Sequence, residues 1–458
     1  MRIAVVGLGS IGRRHAEIAL ALGHELTVYD PDPGAASPPD ALRATSVNEC
    51  LRAANAAIVA SPSSMHVAHA RIAIELGVPV LVEKPLALDA RSAAELDWLA
   101  RERGTLLSVA MNLREHPGVQ ALSGLMTEGA AGEVLRASAW CGSWLPGWRP
   151  GGDYRNSYSA RRELGGGALL DVAVHELDYL LQLIGPARSV SALARHVSEL
   201  EADVEDVALI AMELERGGLA EVTVDYFDRA YTRGCRIVGS KATLHWSWEK
   251  QVLTQHDASG RTHESTLSSD VAPTYRAQLQ RFLQAVGEGG PAPVPAASAQ
   301  RVLAVIDAAR LSSREGRRVA LPPTVTLRAA RAEDAELLLA WRNDPQTRHW
   351  SRSAREIGAE EHASWLGQML ADSSTRLWVA EVSGGPIGHV RVGPRTEDET
   401  AEVHIALTPE ARSRGLGTAI LVQVAARALA DPLLGTLCAY VKPGNEASLR
   451  AFARAGFH

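Results

Sequence analysis

Apolar residues in the first 120 positions arrive in short bursts: Ile3–Val6, Leu26–Tyr29, Ala57–Ala60, Val80–Val82 and Leu106–Val109. Between the bursts they recur at helical spacing, as over Ile11–Leu22 and Ala90–Arg103. Continuous bursts suit strands buried on both faces, and their alternation with helices predicts a parallel sheet covered on both sides. From about Val119 the texture changes. Val134–Trp140, Asp206–Glu213 and Gly218–Asp225 alternate apolar with polar, which predicts antiparallel strands with one solvated face, and helices are expected over Ala168–Ile184, Thr274–Gly287 and Ala297–Glu315. A boundary falls at Leu321-Pro322-Pro323. Beyond it the pattern reads strand (Val325–Arg328), helix (Ala332–Asn343), helix (Glu360–Ala371), strands (Leu377–Glu381, Gly388–Val392, Ala401–Leu407), helix (Gly415–Ala430), strand (Leu437–Val441) and helix (Ala447–Ala455). The expected class is α/β: a doubly wound parallel sheet over 1–120, an α+β open-sheet unit over 121–321, and a third α/β unit over 325–458.

Composition narrows this little. A chain of 458 residues exceeds one ordinary core, and 46% hydrophobic with 22% charged residues is usual for a globular protein. A net charge of −6 gives no reason to expect nucleic acid or an anionic membrane as partner. Cys50, Cys141, Cys235 and Cys438 lie far apart without zinc-site spacing, so no metal is expected and the thiols read as reduced. Met1-Arg2 runs into a strand rather than a signal peptide, and no apolar stretch approaches the ~20 residues of a membrane span, so a cytoplasmic protein is expected.

Chemistry enters with Gly7-x-Gly9-x-x-Gly12, which follows the first strand and opens a helix at Ser10 and Ile11. Gly7 permits the tight turn, Gly9 the approach of backbone to a pyrophosphate, and Gly12 close helix–strand packing. Helix N–H groups then face the phosphates. Asp30 ends the second strand, where a carboxylate accepts from a ribose and repels a 2′-phosphate, so NAD is preferred to NADP; a plain turn residue is the other reading.

Glu83-Lys84-Pro85 ends a strand, where doubly wound sheets place ligands. Lys84 there can reach a nicotinamide with Glu83 holding it, or the two form a surface ion pair. Asp171 and His175, four apart in a helical stretch, share a face, with Asp178 one turn further on. Imidazole suits removal of a hydroxyl proton as hydride leaves carbon, and a neighbouring carboxylate can orient it. A structural His–Asp contact is the plainer alternative.

In this order the motifs resemble the Gfo/Idh/MocA oxidoreductases: Gly7-x-Gly9-x-x-Gly12, Ser61-Pro-x-x-x-His66, Glu83-Lys84-Pro85, Asn112-x-Arg114, then three glycines at 165–167 leading to Asp171-x-x-x-His175. The resemblance covers about residues 1–321. It implies a Rossmann domain with Ser61, His66, Glu83, Lys84 and Asn112 joining the glycine turn around NAD. It also implies catalysis by Lys84, Asp171 and His175, Arg114 on the substrate side, and a homo-oligomer formed through the second domain's sheet.

Residues 140–162 concentrate Trp140, Trp144, Trp148, Tyr154 and Tyr158 with Arg149, Arg155, Arg161 and Arg162. Aromatic faces suit sugar rings and Arg forks suit carboxylate or diphosphate oxygens, so Trp148, Arg149, Tyr154, Arg155 and Tyr158 are candidate contacts to a sugar or nucleotide-linked sugar. A loop packed over the sheet or against another subunit remains the alternative.

In the third unit a strand runs into Arg412-x-Arg414-Gly415-x-Gly417-Thr418 and a helix. Such a turn cradles a pyrophosphate, and it resembles the acetyl-CoA loop of GNAT acetyltransferases. Asn445-x-x-Ser448-x-x-x-Phe452 also matches that family, with Phe452 where many members carry an acid tyrosine. Trp341-Arg342-Asn343-Asp344 and Glu361-His362-x-x-Trp365 resemble the subgroup acting on amino sugars of nonulosonic acid routes, which puts Arg342 on the substrate side. Glu402 is the candidate base, a strand-edge carboxylate being the alternative. The chain stops at Gly456-Phe457-His458, short of a further strand usual in that family, so the unit is read as truncated.

The combined expectation is an NAD-dependent oxidoreductase for a sugar or nucleotide-sugar hydroxyl or ketone, fused to an acetyl-CoA-dependent amino-sugar N-acetyltransferase of bacterial surface-sugar biosynthesis. Two alternatives stay open: a dehydrogenase with a degenerate third unit used for assembly, and a non-catalytic NAD-sensing scaffold.

Overall fold

The early apolar bursts become strands β1 (Arg2–Val6), β2 (Glu25–Tyr29), β3 (Leu42–Arg43), β4 (Ala56–Val59), β5 (Val80–Glu83) and β6 (Leu107–Ala110), a parallel sheet in the order β3-β2-β1-β4-β5-β6. Helices α1 (Ser10–Ala21), α2 (Val47–Leu51), α3 (His66–Glu75) and α4 (Ala90–Glu102) cover it. Alternation decides which face each residue serves. Ala4 and Val6 join a core with α2, α3 and α4, whereas Ile3 and Val5 join one with α1. The order reverses between β1 and β4, so a crevice opens at the carboxyl ends of those strands. The computed structural model describes residues 1–148, 152–382, 385–429 and 434–457; its two compact units are Met1–Leu321 and Pro322–His458.

After α5 (Pro117–Thr127) come β7 (Val134–Trp144), α6 (Val174–Ile184), β8 (Ala187–Arg195), β9 (Val207–Leu214), β10 (Leu219–Asp225), β11 (Phe227–Gly239), β12 (Ala242–Ser247), β13 (Val252–Asp257) and β14 (Thr262–Thr266). Helices α7 (Ala272–Glu288) and α8 (Ala296–Glu315) and strand β15 (Val319–Ala320) close the unit. The nine strands lie in the order β14-β13-β12-β11-β7-β10-β9-β8-β15. The structure departs from the sequence expectation here: β7 runs past Trp140 to Trp144, which makes Trp144 a strand residue, and β7 pairs with β10 in parallel. The long excursion through α6, β8 and β9 between them allows that parallel pairing. The expected helix over 168–184 opens with a π-turn, Leu169–Ala173, ahead of α6.

The second unit contains β16 (Val325–Ala329), α9 (Ala335–Asn343), α10 (Pro345–Trp350), α11 (Ala359–Ala371), β17 (Arg376–Val382), β18 (Gly385–Val392), β19 (Thr400–Leu407), α12 (Leu416–Ala428), β20 (Thr436–Cys438) and α13 (Glu446–Arg454). Its sheet runs β16-β17-β18-β19-β20, antiparallel except for the last pair. One face packs Val390, Val392 and Val403 against α12, and the other packs Leu377 and Val379 against Leu338, Trp341 and Leu366. β19 pairs with β20 only over Thr400–Glu402, which leaves the rest of that β19 edge unpaired with β20.

Candidate active site

The glycine turn has the shape its sequence demands. Gly7 sits at φ +96°, and a Cβ on Gly12 would lie 1.9 Å from the Gly7 carbonyl oxygen, so neither position admits a side chain. Gly9 is different: nothing lies within 4 Å of where its Cβ would be. Helix α1 starts there with no side-chain cap and no acidic residue in its first turn. Open space in front of free helix N–H groups fits a dinucleotide pyrophosphate. Asp30 stands beside the turn: its Oδ2 accepts from Leu8 N at 2.7 Å and its Oδ1 from Asp32 N at 2.9 Å. It therefore also serves as a turn residue.

Lys84 emerges from the end of β5 into the same crevice, and three groups hold its Nζ: Asp171 Oδ1 at 2.8 Å, the Asp171 carbonyl at 3.0 Å and the Tyr158 hydroxyl at 3.3 Å. Tyr158 also donates to Asp171 Oδ1, and Tyr226 donates to Oδ2 at 3.3 Å. Burial pulls the lysine down, but Asp171 and Tyr158 more than reverse it, so its pKa lies above the ordinary value. Burial works against the charged Asp171 as well, yet Lys84 keeps that carboxyl below its usual range. The pair is held as an ammonium and a carboxylate. The expectation that Glu83 holds Lys84 is corrected: Glu83 Oε1 binds His15 Nε2 at 2.7 Å, and only its Oε2 accepts from the Lys84 backbone N–H, at 3.2 Å.

His175 lies close enough to Lys84 for that charge to act on it, but the Asp171 carboxylate does not orient it. The π-turn adds an offset between 171 and 175, and both Asp171 oxygens are taken by Lys84 and the two tyrosines. Nδ1 of His175 is buried without a hydrogen-bond partner among the described residues. Burial first, then the charges of Lys84 and Arg233, hold the ring well below 6.5 and therefore neutral. A neutral imidazole beside an ammonium can accept a proton while the ammonium donates a hydrogen bond.

Several other candidates serve the scaffold. His66 places its ring nitrogens against the carbonyls of Pro85 (2.7 Å) and Ser61 (2.8 Å), joining two loops instead of reaching a cofactor. The Ser61 hydroxyl meets His69 at 2.9 Å, and Asn112 donates to Thr274 at 2.9 Å. Arg114 forks onto Asp178 with two 2.7 Å bonds, so its fork is already taken. Tyr154 accepts from Glu201 N at 3.0 Å, and Arg155 pairs with Asp153 and Glu201; both brace their own loop. Trp148 donates to Ser143 at 3.0 Å and stands edge-on to Tyr226, with 38% of its surface still exposed. Arg149 lies outside the described residues. Sequence spacing did not single out His15, Tyr226 or the buried Arg233–Glu176 pair (2.8 Å), because their partners come from segments distant in the chain.

In the second unit Gly415, at φ +77°, caps α12 without a side-chain bond, and no acidic residue occupies the first turn where Gly417 and Thr418 lie. That turn fits a pyrophosphate for the same reason as the first. Arg412 is not free to join it: its guanidinium holds Asp344 at 2.5 Å, Gln346 at 2.7 Å and the Leu407 carbonyl at 3.1 Å. Arg414 is exposed and, among the described residues, donates to the Glu410 carbonyl at 3.3 Å. Asn445 caps α13 by accepting from Ser448 N at 3.2 Å. Glu402 pairs with Arg352 and lies 3.3 Å from His404, so the candidate base already has two neighbours.

Residues 1–111 match "Oxidoreductase family, NAD-binding Rossmann fold", residues 148–321 "Oxidoreductase family, C-terminal alpha/beta domain", and residues 324–458 "Acetyltransferase (GNAT) domain". The chain is 31% identical over 241 residues to UDP-N-acetylglucosamine 3-dehydrogenase of Acidithiobacillus ferrooxidans, covering 52% of this chain and 71% of that protein. It is 30% identical over 315 residues to inositol 2-dehydrogenase 2 of Paenarthrobacter aurescens, covering 64% and 89%. Levoglucosan dehydrogenase, solved with NADH and levoglucosan, shares the fold at TM-score 0.64 and 18% identity over 70% of this chain and 99% of that one.

Proposed function

For a chain that belongs to the Gfo/Idh/MocA oxidoreductases and carries a GNAT domain after them, we propose an NAD-linked dehydrogenase of a sugar or nucleotide-sugar hydroxyl joined to an amino-sugar N-acetyltransferase. The observation that carries the first half is the Lys84–Asp171 pair at 2.8 Å beside a neutral His175, in the crevice of the glycine turn. The nicotinamide, when bound, supplies the hydride acceptor or donor. Lys84 Nζ donates a hydrogen bond to the substrate oxygen and steadies its developing negative charge, and Asp171 keeps that nitrogen charged. The His175 ring takes the hydroxyl proton in oxidation and returns it in reduction. Tyr158 positions the carboxylate, and Trp148 offers an aromatic face to the sugar. Asp30 favours NAD over NADP. The domains would run 1–120, 121–321 and 325–458, the exposed Leu193, Leu209 and Leu219 would lie in a homo-oligomer interface, and the enzyme would work in the cytoplasm.

In the second half, acetyl-CoA lies along the Gly415–Thr418 turn with Arg414 on its phosphates, and Glu402 accepts the proton of the amine. The pairing of a hydroxyl-oxidising with an amine-acetylating domain suits the synthesis of surface sugars of the nonulosonic type.

The test is turnover of the full chain with UDP-, GDP- and CMP-linked sugars, read by nicotinamide absorbance. Lys84→Ala and His175→Ala should each lose activity about a hundredfold or more while calorimetry still registers NAD binding. Unchanged turnover in either variant overturns the reading, and no acetyl-CoA binding overturns the second half.

A further inference from the structure

Among the described residues no hydrogen bond to Nδ1 orients the His175 ring, and the oxygens of Asp171 are taken by Lys84 and two tyrosines. The direction of the ring therefore depends on how α6 is fixed once the π-turn ends at Ala173. Two ties fix it, both to β11. Glu176, next in the chain to His175, meets Arg233 with Oε1 and Nε 2.8 Å apart, and about one turn further on Tyr179 donates to the Gly234 carbonyl at 3.3 Å. From Gly165 to Leu180 only His175 keeps part of its surface exposed, so these ties leave that one side chain facing open space.

Glu176 is fully buried and Arg233 is 9% exposed. A buried ion pair adds little stability over apolar residues of equal volume, so packing alone gives no reason for these charges. Trp248 and Tyr231 receive the guanidinium as cation–π partners, 5.7 and 5.8 Å from their ring centroids. The other titratable groups that face the pair are Cys141 of β7, Tyr231 and Cys235 of β11, Tyr179 of α6, Tyr275 of α7 and His116 ahead of α5. Burial pushes the two thiols and three phenols up and His116 down to about 4, so none is charged near neutral pH. Two ion pairs remain as the charges around His175, Lys84 with Asp171 and Arg233 with Glu176. Lys84 and Arg233 both act on the ring, and Lys84 acts on Glu176 as well.

We propose that Arg233 and Glu176 are positioning residues for proton transfer at His175: their ion pair sets the rotation of α6 that turns the ring toward the crevice, and it brings the Arg233 cation within electrostatic range of that ring. The inference rests on the oxidoreductase reading above, in which His175 takes the hydroxyl proton. Arg233 favours the neutral ring that receives the proton, and Glu176 offsets part of that charge, so the ring still accepts it.

The test is an NMR titration of the full chain with labelled histidine, the His175 signal being assigned by its loss in His175→Gln. Arg233→Met removes the cation, so the His175 midpoint should rise by at least about 0.5 in pH. Glu176→Gln leaves the cation uncompensated, and the midpoint should stay at or below that of the parent. The Arg233→Met/Glu176→Leu double variant leaves no unpaired buried charge, so it should melt near the parent while its midpoint also rises. It carries the same reading if the single variants do not fold. One midpoint shared by the parent and all folded variants, or a ring that stays neutral down to acid unfolding in parent and Arg233→Met alike, overturns the proposal. In turnover of UDP-, GDP- or CMP-linked sugars, Arg233→Met should lose about tenfold in kcat with KM within about threefold; a loss confined to KM also overturns it. If no sugar turns over, the dehydrogenase reading fails by itself, and the His175 midpoints alone decide the role of Arg233.

Discussion

Asp171→Asn separates the charge of the buried Lys84–Asp171 pair, catalytic in the proposed function, from its shape. The side chain keeps its size and one acceptor, but the carboxylate that holds Lys84 at 2.8 Å is gone. At an effective dielectric near 20, two unit charges at that distance attract by about 6 kcal/mol. Desolvation offsets much of this, because the two side chains are only 16% and 5% exposed. Breaking one member of a buried pair usually costs about 3–5 kcal/mol, and the amide's remaining acceptor and loss of the lysine proton recover part. A fall of about a hundredfold in kcat/KM, near 2.7 kcal/mol, is therefore expected. The pH profile carries the sharper signature. In the parent, Lys84 lies above its ordinary 10.5 and stays charged throughout the working range. Without Asp171 burial dominates, the lysine's pKa drops, and activity should fade on the alkaline side as pH rises through the lowered value. Stability follows the same linkage. Asp171 contributes above its unfolded value of 3.8 and loses that contribution as pH falls through its depressed folded value. Lys84 contributes below 10.5 and loses its part as pH climbs through its raised folded value, so parent and variant should differ most in melting temperature between those limits. The assay is kcat/KM against pH in parallel with thermal melts. A variant within about threefold of the parent, with no new alkaline limb, refutes the reasoning.

The glycine turn gives a paired expectation. Gly9→Ala should melt like the parent yet bind NAD at least about tenfold more weakly, because its Cβ enters open space in front of the helix N-terminus, whereas Gly12→Ala should lose stability as well, its Cβ meeting the Gly7 carbonyl at 1.9 Å. Equal melting of the two variants would contradict this. Burial and the nearby cations hold His175 well below 6.5, so oxidation should not weaken as pH falls through 6.5, and the acid limb should lie lower; a limb at the ordinary imidazole value counts against the neutral base. Arg412→Ala should lower the second unit's unfolding free energy by about 1–3 kcal/mol, since it strips Asp344 and the Leu407 carbonyl of a charged donor. Arg414→Ala should instead leave the denaturation midpoint in place and weaken acetyl-CoA binding; the reverse outcome would exchange the two roles.

The periodicity of the chain was enough for the parallel sheet, the boundary at 321, and the glycine turns of both units. These features are local: buried strands need continuous apolar runs, helices need their own spacing, and a tight turn needs glycine where a Cβ has no room. The order of motifs also grouped Lys84, Asp171 and His175, which the fold brings near one another. Their connections were beyond sequence spacing. Lys84 meets Asp171 across 87 positions of chain, Glu83 turns away to His15, and Tyr226 arrives from the end of β10 to hold the second carboxylate oxygen. The i, i+4 rule assumes α-helical pitch, and the π-turn at 169–173 breaks that assumption where Asp171 and His175 lie. Arg114, Arg412 and His66 looked ready for ligands by residue type, but tertiary packing supplied each with internal partners. Periodicity and local residue type thus determined which segments form strands, helices and glycine turns. Only the folded chain decided which charged groups are already paired and which keep donors for a ligand, because that depends on burial and on neighbours that the packing of distant segments brings together.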